Sequence, residues 1–192
     1  MNISAEEKQS IKNKSAKPML WLAMVSMCMI FGGLTSAYVV RSGDPGWLSF
    51  ELPQLFFVST AVIIASSFTL LFAYRSAQKD NFSGVKIGTM LTLFLGITFI
   101  VCQFLAYDAL VKQGIFLGGN KSNPAGSFLY VISGAHLAHF AGGIVMLIVV
   151  CIKSFNGFYH SKNLLGLQLC SIFWHFLDLL WVYLFLFMHF TH

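Results

Sequence analysis

Five long apolar runs, separated by short polar or glycine- and proline-marked breaks, organise this chain. The first covers residues 18–40 and stops at Arg41-Ser42-Gly43-Asp44-Pro45-Gly46, a cluster of turn-forming residues. The second, 52–74, is closed by Arg75 and the polar stretch from Ser76 to Asp80. The third covers 87–111 and the fourth 127–152; between them, Gly114 to Gly126 has the composition of an exposed loop. The fifth covers 167–190. Each run reaches the roughly 20 residues needed to cross a bilayer as a helix. The runs are continuous rather than alternating, which argues against barrel strands, and in lipid a helix satisfies its own backbone where each unpaired group costs several kcal/mol. The pattern therefore predicts an all-α bundle of five transmembrane helices. Residues 1–17 form a polar tail and 18–192 a single membrane domain, with Pro18 suited to the first turn of the first helix.

Composition agrees: 57% of residues are hydrophobic and 10% charged, against about 45–50% and about 25% in a soluble domain. The formal charge of +5 would raise the question of nucleic acid in a soluble protein. Here the basic residues lie mostly outside the apolar runs, so topology explains them and no nucleic-acid partner is expected. With the N-terminus inside, the inner segments hold Lys8, Lys12, Lys14, Lys17, Arg75, Lys79, Lys86, Lys153 and Lys162, and the outer ones Arg41, Lys112 and Lys121. That asymmetry predicts an N-in, C-out protein whose first helix acts as an uncleaved signal-anchor. Cys28, Cys102, Cys151 and Cys170 fall in or beside apolar runs with no CxxC spacing, and read as small buried hydrophobes. Trp21 and Trp47 fit interfacial anchors. Phosphate-binding glycine loops, nucleophile elbows and HExxH motifs are absent from the sequence.

Ionisable groups inside a span are costly and mark candidate sites. Asp108 lies near the outer end of the third helix, His136 and His139 lie on the fourth, and His175 and Asp178 on the fifth; Gln103, Ser66, Ser67 and Ser26 are lesser polar candidates. His136 and His139 share one helical face, as do His175 and Asp178. At about 1.5 Å of rise per residue the two pairs overlap in depth, so neighbouring fourth and fifth helices would bring them together in a His–carboxylate contact. Such a cluster is open to several readings: plain interhelical hydrogen bonds, a metal or bis-histidine heme site, a proton relay, or a clasp for a lipid headgroup. Gly134, Ala138 and Gly142 recur every four residues, a stripe that admits a close helix neighbour.

The stretch Trp174-His175-Phe176-Leu177-Asp178-Leu179-Leu180-Trp181 resembles the WHF(V/L)D(V/L)xW signature in the last helix of cytochrome c and quinol oxidase subunit III. Ser133-Gly134-Ala135-His136-Leu137-Ala138-His139 followed by Gly142-Gly143 is similar to that family's TGxHxxHxxxG segment, and Gln103 to Tyr107 to its QxxEY. Pro53, Ser59-Thr60 and Ser66-Ser67 stand in the places of its PxxNT and small polar pair, and Ala37-Tyr38 also aligns. Two carboxylates common in the family are replaced, by Met27 and Ala106.

The resemblance implies a short, five-helix form of a seven-helix fold, lacking the first two helices that elsewhere splay to form a lipid-filled cleft. It implies a non-catalytic subunit of a bacterial heme-copper terminal oxidase in the cytoplasmic membrane. Such a subunit packs on the catalytic subunit I and other oxidase subunits, stabilises them, and supports proton or oxygen supply, with a place in a respiratory supercomplex. No heme, copper or other metal is expected in this chain, and a bound phospholipid is. His136, His139, His175, Asp178, Gln103, Tyr107 and Asp108 then form a structural polar cluster or lipid contact. Gly134, Ala138, Gly142, Trp174 and Trp181 serve helix packing. A b-type cytochrome with bis-histidine heme and a related subunit of a nitric oxide reductase system are the competing readings.

Overall fold

A computed structural model describes residues 5–43, 47, 52–118, 123–159 and 164–191, with residues 5–14 as backbone only. The side chains of Lys8, Lys12 and Lys14, together with Lys121, Lys162, Asp44-Pro45-Gly46 and the middle of the Gly114–Gly126 loop, lie outside the described residues. Among the described residues five helices are formed: α1 (Ala5–Arg41), α2 (Leu55–Gln78), α3 (Phe82–Lys112), α4 (Pro124–Phe155) and α5 (Leu165–Phe190). All five are long and apolar enough to cross a membrane, and no strand occurs among the described residues.

The helices overrun the apolar runs because their ends are set by local chemistry rather than by hydropathy. Asn81 caps α3 by accepting from Gly84 N at 3.1 Å, and Asn123 caps α4 by accepting from Ala125 N at 2.8 Å, with Pro124 in the first turn. Three helices stop in the same way. A residue with positive φ follows the helix, Asp80 (55°), Gly114 (81°) or Gly157 (68°), and the next N–H reaches back five residues: Asn81 to Ser76, Ile115 to Leu110, Phe158 to Lys153. The largest departure is in α1. Residues 5–17, expected as a polar tail, are helical from Ala5, and Pro18 sits inside the helix rather than in its first turn. The segment Ala5-Glu6-Glu7-Lys8-Gln9 consists of strong helix formers, which extend the helix outward even though they add no apolar surface.

Packing closes a ring. α2 packs on α3 and α5, α4 on α3 and α5, and α1 lies across the seam of α4 and α5. The α2–α3 pair is drawn closest by glycine. A Cβ on Gly84 would fall 2.6 Å from Ser76 Oγ, and one on Gly88 would fall 2.7 Å from Ala73 Cβ and 3.0 Å from its backbone. Gly96 likewise receives the Trp174 ring, and Gly143 the Leu177 side chain. α1 presents Met24, Phe31, Thr35 and Tyr38 inward. Thr35 Oγ1 meets Tyr183 Oη of α5 at 3.2 Å, and Tyr38 is boxed in by Trp47, Phe128 and Phe187.

The stripe Gly134, Ala138, Gly142 does not serve this packing. Ala138 and Gly142 are exposed, Gly134 is half-buried, and a Cβ on either glycine would meet nothing within 4 Å. Four-residue spacing marks a face on which helices can approach; which face is used depends on where the larger side chains point. On α4 those are Leu129, Ile132, His136, Phe140 and Leu147, which turn the small residues outward.

Candidate functional site

The polar residues of the bundle converge on α2. Its hydroxyls donate to carbonyls of their own helix: Ser59 and Thr60 to Phe56 O at 3.0 and 2.7 Å, and Ser66 to Ile63 O at 2.7 Å. This satisfies each hydroxyl proton and leaves the oxygen as an acceptor. Donors from two neighbouring helices fill those acceptors. Gln103 Nε2 of α3 reaches Ser59 Oγ at 3.0 Å, Trp181 Nε1 reaches Thr60 Oγ1 at 3.1 Å, and Trp174 Nε1 reaches Ser66 Oγ at 3.0 Å. Trp174 and Trp181 lie two turns apart on α5 and meet α2 positions separated by nearly the same distance, as an antiparallel pair requires.

Ser67 completes the row. It donates to Asp178 Oδ2 and lies 3.0 Å from His175 Nδ1. Because the single hydroxyl proton goes to the carboxylate, His175 Nδ1 carries a proton and donates to Ser67. Asp178 Oδ1 and His175 Nε2 are buried with no partner among the described residues.

His136 occupies a different environment. It is fully buried, its ring edge-on to Phe31 and Phe99 and tilted against Phe140 and Trp181 at centroid distances of 5.1–6.3 Å. Neither ring nitrogen has a hydrogen-bond partner among the described residues. His139, one turn on, places Nδ1 2.7 Å from Ala135 O of its own helix and its ring edge-on to Phe31. The His–carboxylate contact expected between α4 and α5 is therefore not made. The i, i+3 spacing puts His175 and Asp178 on one face, and that face is turned to α2, while the neighbouring Trp181 face meets His136. His136 sits among Phe31, Phe99, Phe140 and Trp181, whereas His175 is turned to Ser67 of α2.

Two further expectations resolve differently. Tyr107 joins the end of the ring where α3 closes and α4 begins, its hydroxyl donating to Ser133 Oγ at 3.0 Å, and Tyr130 Oη donates to Ile115 O at 3.1 Å. Asp108 does not join the cluster. It is 59% exposed and pairs with Lys112 at 2.6 Å, one turn on along the same outer face of α3. Ala106, in place of the family's glutamate, is fully buried, and Met27 is half-buried. The Tyr130 and Ser133 contacts carry no signal in the linear pattern beyond an aromatic and a hydroxyl at the start of an apolar run. No group of three or more His, Cys, Asp or Glu side chains is placed to hold a metal ion among the described residues. The four cysteines are free, Cys151 and Cys170 buried, Cys102 half-buried and Cys28 exposed on α1.

The arrangement defines a polytopic membrane protein with a polar seam that ties α3 and α5 to α2. Its sequence matches the family model Cytochrome c oxidase subunit III over residues 20–192, and the chain belongs to that family. Among similar proteins, a probable cytochrome c oxidase subunit 3 of Nocardia farcinica is 28% identical, covering 92% of this chain and 87% of its own. The cytochrome bo(3) ubiquinol oxidase subunit 3 of Pseudomonas aeruginosa is 28% identical over 86% of this chain and 79% of its own. The cytochrome c oxidase subunit 3 of Thermostichus vulcanus is 28% identical over 86% and 82%. The chain is thus a non-catalytic subunit III of a heme-copper terminal oxidase, and neither the cytochrome b nor the nitric oxide reductase reading is favoured.

Proposed function

We propose that this chain stabilises the catalytic subunit I of a bacterial respiratory oxidase, lying N-in and C-out in the cytoplasmic membrane, with a bound phospholipid at its surface. The observation that carries the reading is the use made of the last-helix signature. Trp174, His175, Asp178 and Trp181 all bond to α2, which supports α5 as the keystone of a scaffold. The nearly identical likeness to a cytochrome c oxidase subunit and to a ubiquinol oxidase subunit supports a role common to both donor types.

The outward small-residue faces support the docking surface. On α4 the exposed residues between Val131 and Val145 include Ala138, Ala141 and Gly142, and α1 exposes Gly32, Gly33, Ser36 and Ala37. By contrast α2 and α3 expose Phe57, Phe68, Phe72, Phe94 and Phe104. Small residues allow helix backbones to approach closely, whereas bulky apolar side chains suit lipid chains. Purification in mild detergent tests the reading: the chain should co-elute with a larger heme-bearing subunit, and the chain alone should show no Soret band. A stoichiometric heme on the isolated chain would overturn it. Cysteine labelling from each side of the membrane at Lys79 and Asp108 positions tests the orientation.

A further inference from the structure

We propose that Gln103 and His136 hold a bound water between them at the centre of the bundle. Both side chains are buried, at 1% and 0% exposure, and both carry atoms that the protein leaves without a partner: Gln103 Oε1, and the two ring nitrogens of His136. Native proteins pair nearly all such groups, with ordered water where protein cannot reach. In hydrocarbon surroundings, no other solvent is available to do so.

The two residues lie in one cross-section of the ring. Gln103 is held on Ser59, and Trp181 on the adjacent Thr60. The Trp181 ring is 5.1 Å from His136 and 5.2 Å from Phe99, which sits one turn from Gln103 on the same buried face of α3. Phe99 in turn meets His136 at 6.2 Å. Phe99 and Trp181 thus both wall His136, and each is linked to Gln103, Phe99 one turn away along α3 and Trp181 through Thr60 beside Ser59. Ser59 fixes the orientation of the carboxamide by taking its N–H, so the oxygen is the end left over.

Donor and acceptor then match at the shared position. Gln103 Oε1 can only accept, and a neutral imidazole offers one N–H and one bare nitrogen. A water that accepts from the His136 N–H and donates to Gln103 Oε1 gives each residue a partner and keeps one hydrogen for the Trp181 ring face or a second water, while the bare ring nitrogen is left to accept from a further water. Burial of His136 beside four aromatic rings shuts the position off from bulk solvent, so the water is a fixed component of the fold rather than a visitor.

The test is a cryo-electron microscopy map of the intact oxidase in lipid nanodiscs, at a resolution that shows ordered water. Density within about 2.7–3.2 Å of both Gln103 Oε1 and a His136 ring nitrogen is expected. A direct Gln103–His136 hydrogen bond, or the absence of density there with the rest of the core's water visible, would overturn the proposal. In Gln103→Leu and His136→Phe complexes the density should vanish, together with one isotope-shifted O–H band in infrared spectra taken in H₂¹⁸O. Retention of both in either variant would also overturn it. Should a variant fail to assemble, the wild-type map decides.

Discussion

Ser67 Oγ lies 3.0 Å from His175 Nδ1 and donates through the same hydroxyl to Asp178, so one side chain of α2 secures two ionisable residues of α5. Ser67→Ala removes the only partner that the described residues give Asp178. The change should destabilise the bundle by about 1–3 kcal/mol, the usual cost of stranding a buried polar group. Thermal unfolding of the purified complex in detergent checks this. Ser67→Thr, which keeps the hydroxyl, should restore most of the loss.

Trp181→Phe keeps most of the ring and removes the donor to Thr60. In a membrane bundle such a bond contributes about 0.6 kcal/mol on average and up to about 1.7. A double-mutant cycle of Trp181→Phe with Thr60→Val should return a coupling energy in that range, because the hydroxyl of Thr60 has no other use across the helix pair. A coupling energy of zero would show that the bond is not formed.

Glycine substitutions should separate packing within the chain from packing against other subunits. Gly88→Ala drives a methyl group into Ala73, where both helices are backbone-limited, and should cost about 1–3 kcal/mol in the stability of the isolated chain. Gly142→Leu meets open space in this chain. It should leave the isolated chain unchanged and lower the yield of assembled oxidase, read by gel filtration of the heme-bearing fraction.

Tyr159, in the segment after α4, is 2% exposed and its hydroxyl fits against Gly166. Burial, reinforced by neighbouring Cys170, pushes its ionisation up to about 12 from the usual 10. The folded state therefore favours the neutral phenol. The resulting stability is fully present below pH 10 and is lost as the pH rises from 10 toward 12. Tyr159→Phe should flatten the fall in melting temperature over that interval, measured by alkaline titration of thermal unfolding.

The number of helices was legible from the residues because lipid permits so few alternatives, and the family was legible from Trp174 through Trp181. The partners of the polar residues were not. Spacing shows that His175 and Asp178 share a face of α5, but nothing in a linear pattern says whether that face meets α2 or α4. Ser66 and Ser67 stood out as polar interruptions, whereas Ser59 and Thr60 entered only through the resemblance, since short hydroxyls are common in spans. The glycines teach the same lesson. Gly84 and Gly88 have the four-residue spacing of Gly134, Ala138 and Gly142, and only the α3 pair is used within the chain. The helical start of α1 is not marked in the apolar pattern, because hydropathy shows where a helix enters lipid, while Glu, Lys and Gln continue it into water.

Because the hydroxyl protons of Ser59, Thr60 and Ser66 are given to their own helix, these three positions of α2 offer its neighbours only electron pairs, whereas Ser67 gives its proton across to Asp178. Those three positions are met by side chains that end in N–H, and only when those N–H groups stand at the right heights. Apolar surfaces slide freely past one another in a lipid medium, since hydrocarbon gains nothing by preferring one alignment. A row of one-way sockets removes that freedom. α2 acts as a ruler against which α3 and α5 are indexed, so that rotation of either helix by one residue would leave its tryptophan or glutamine facing carbon.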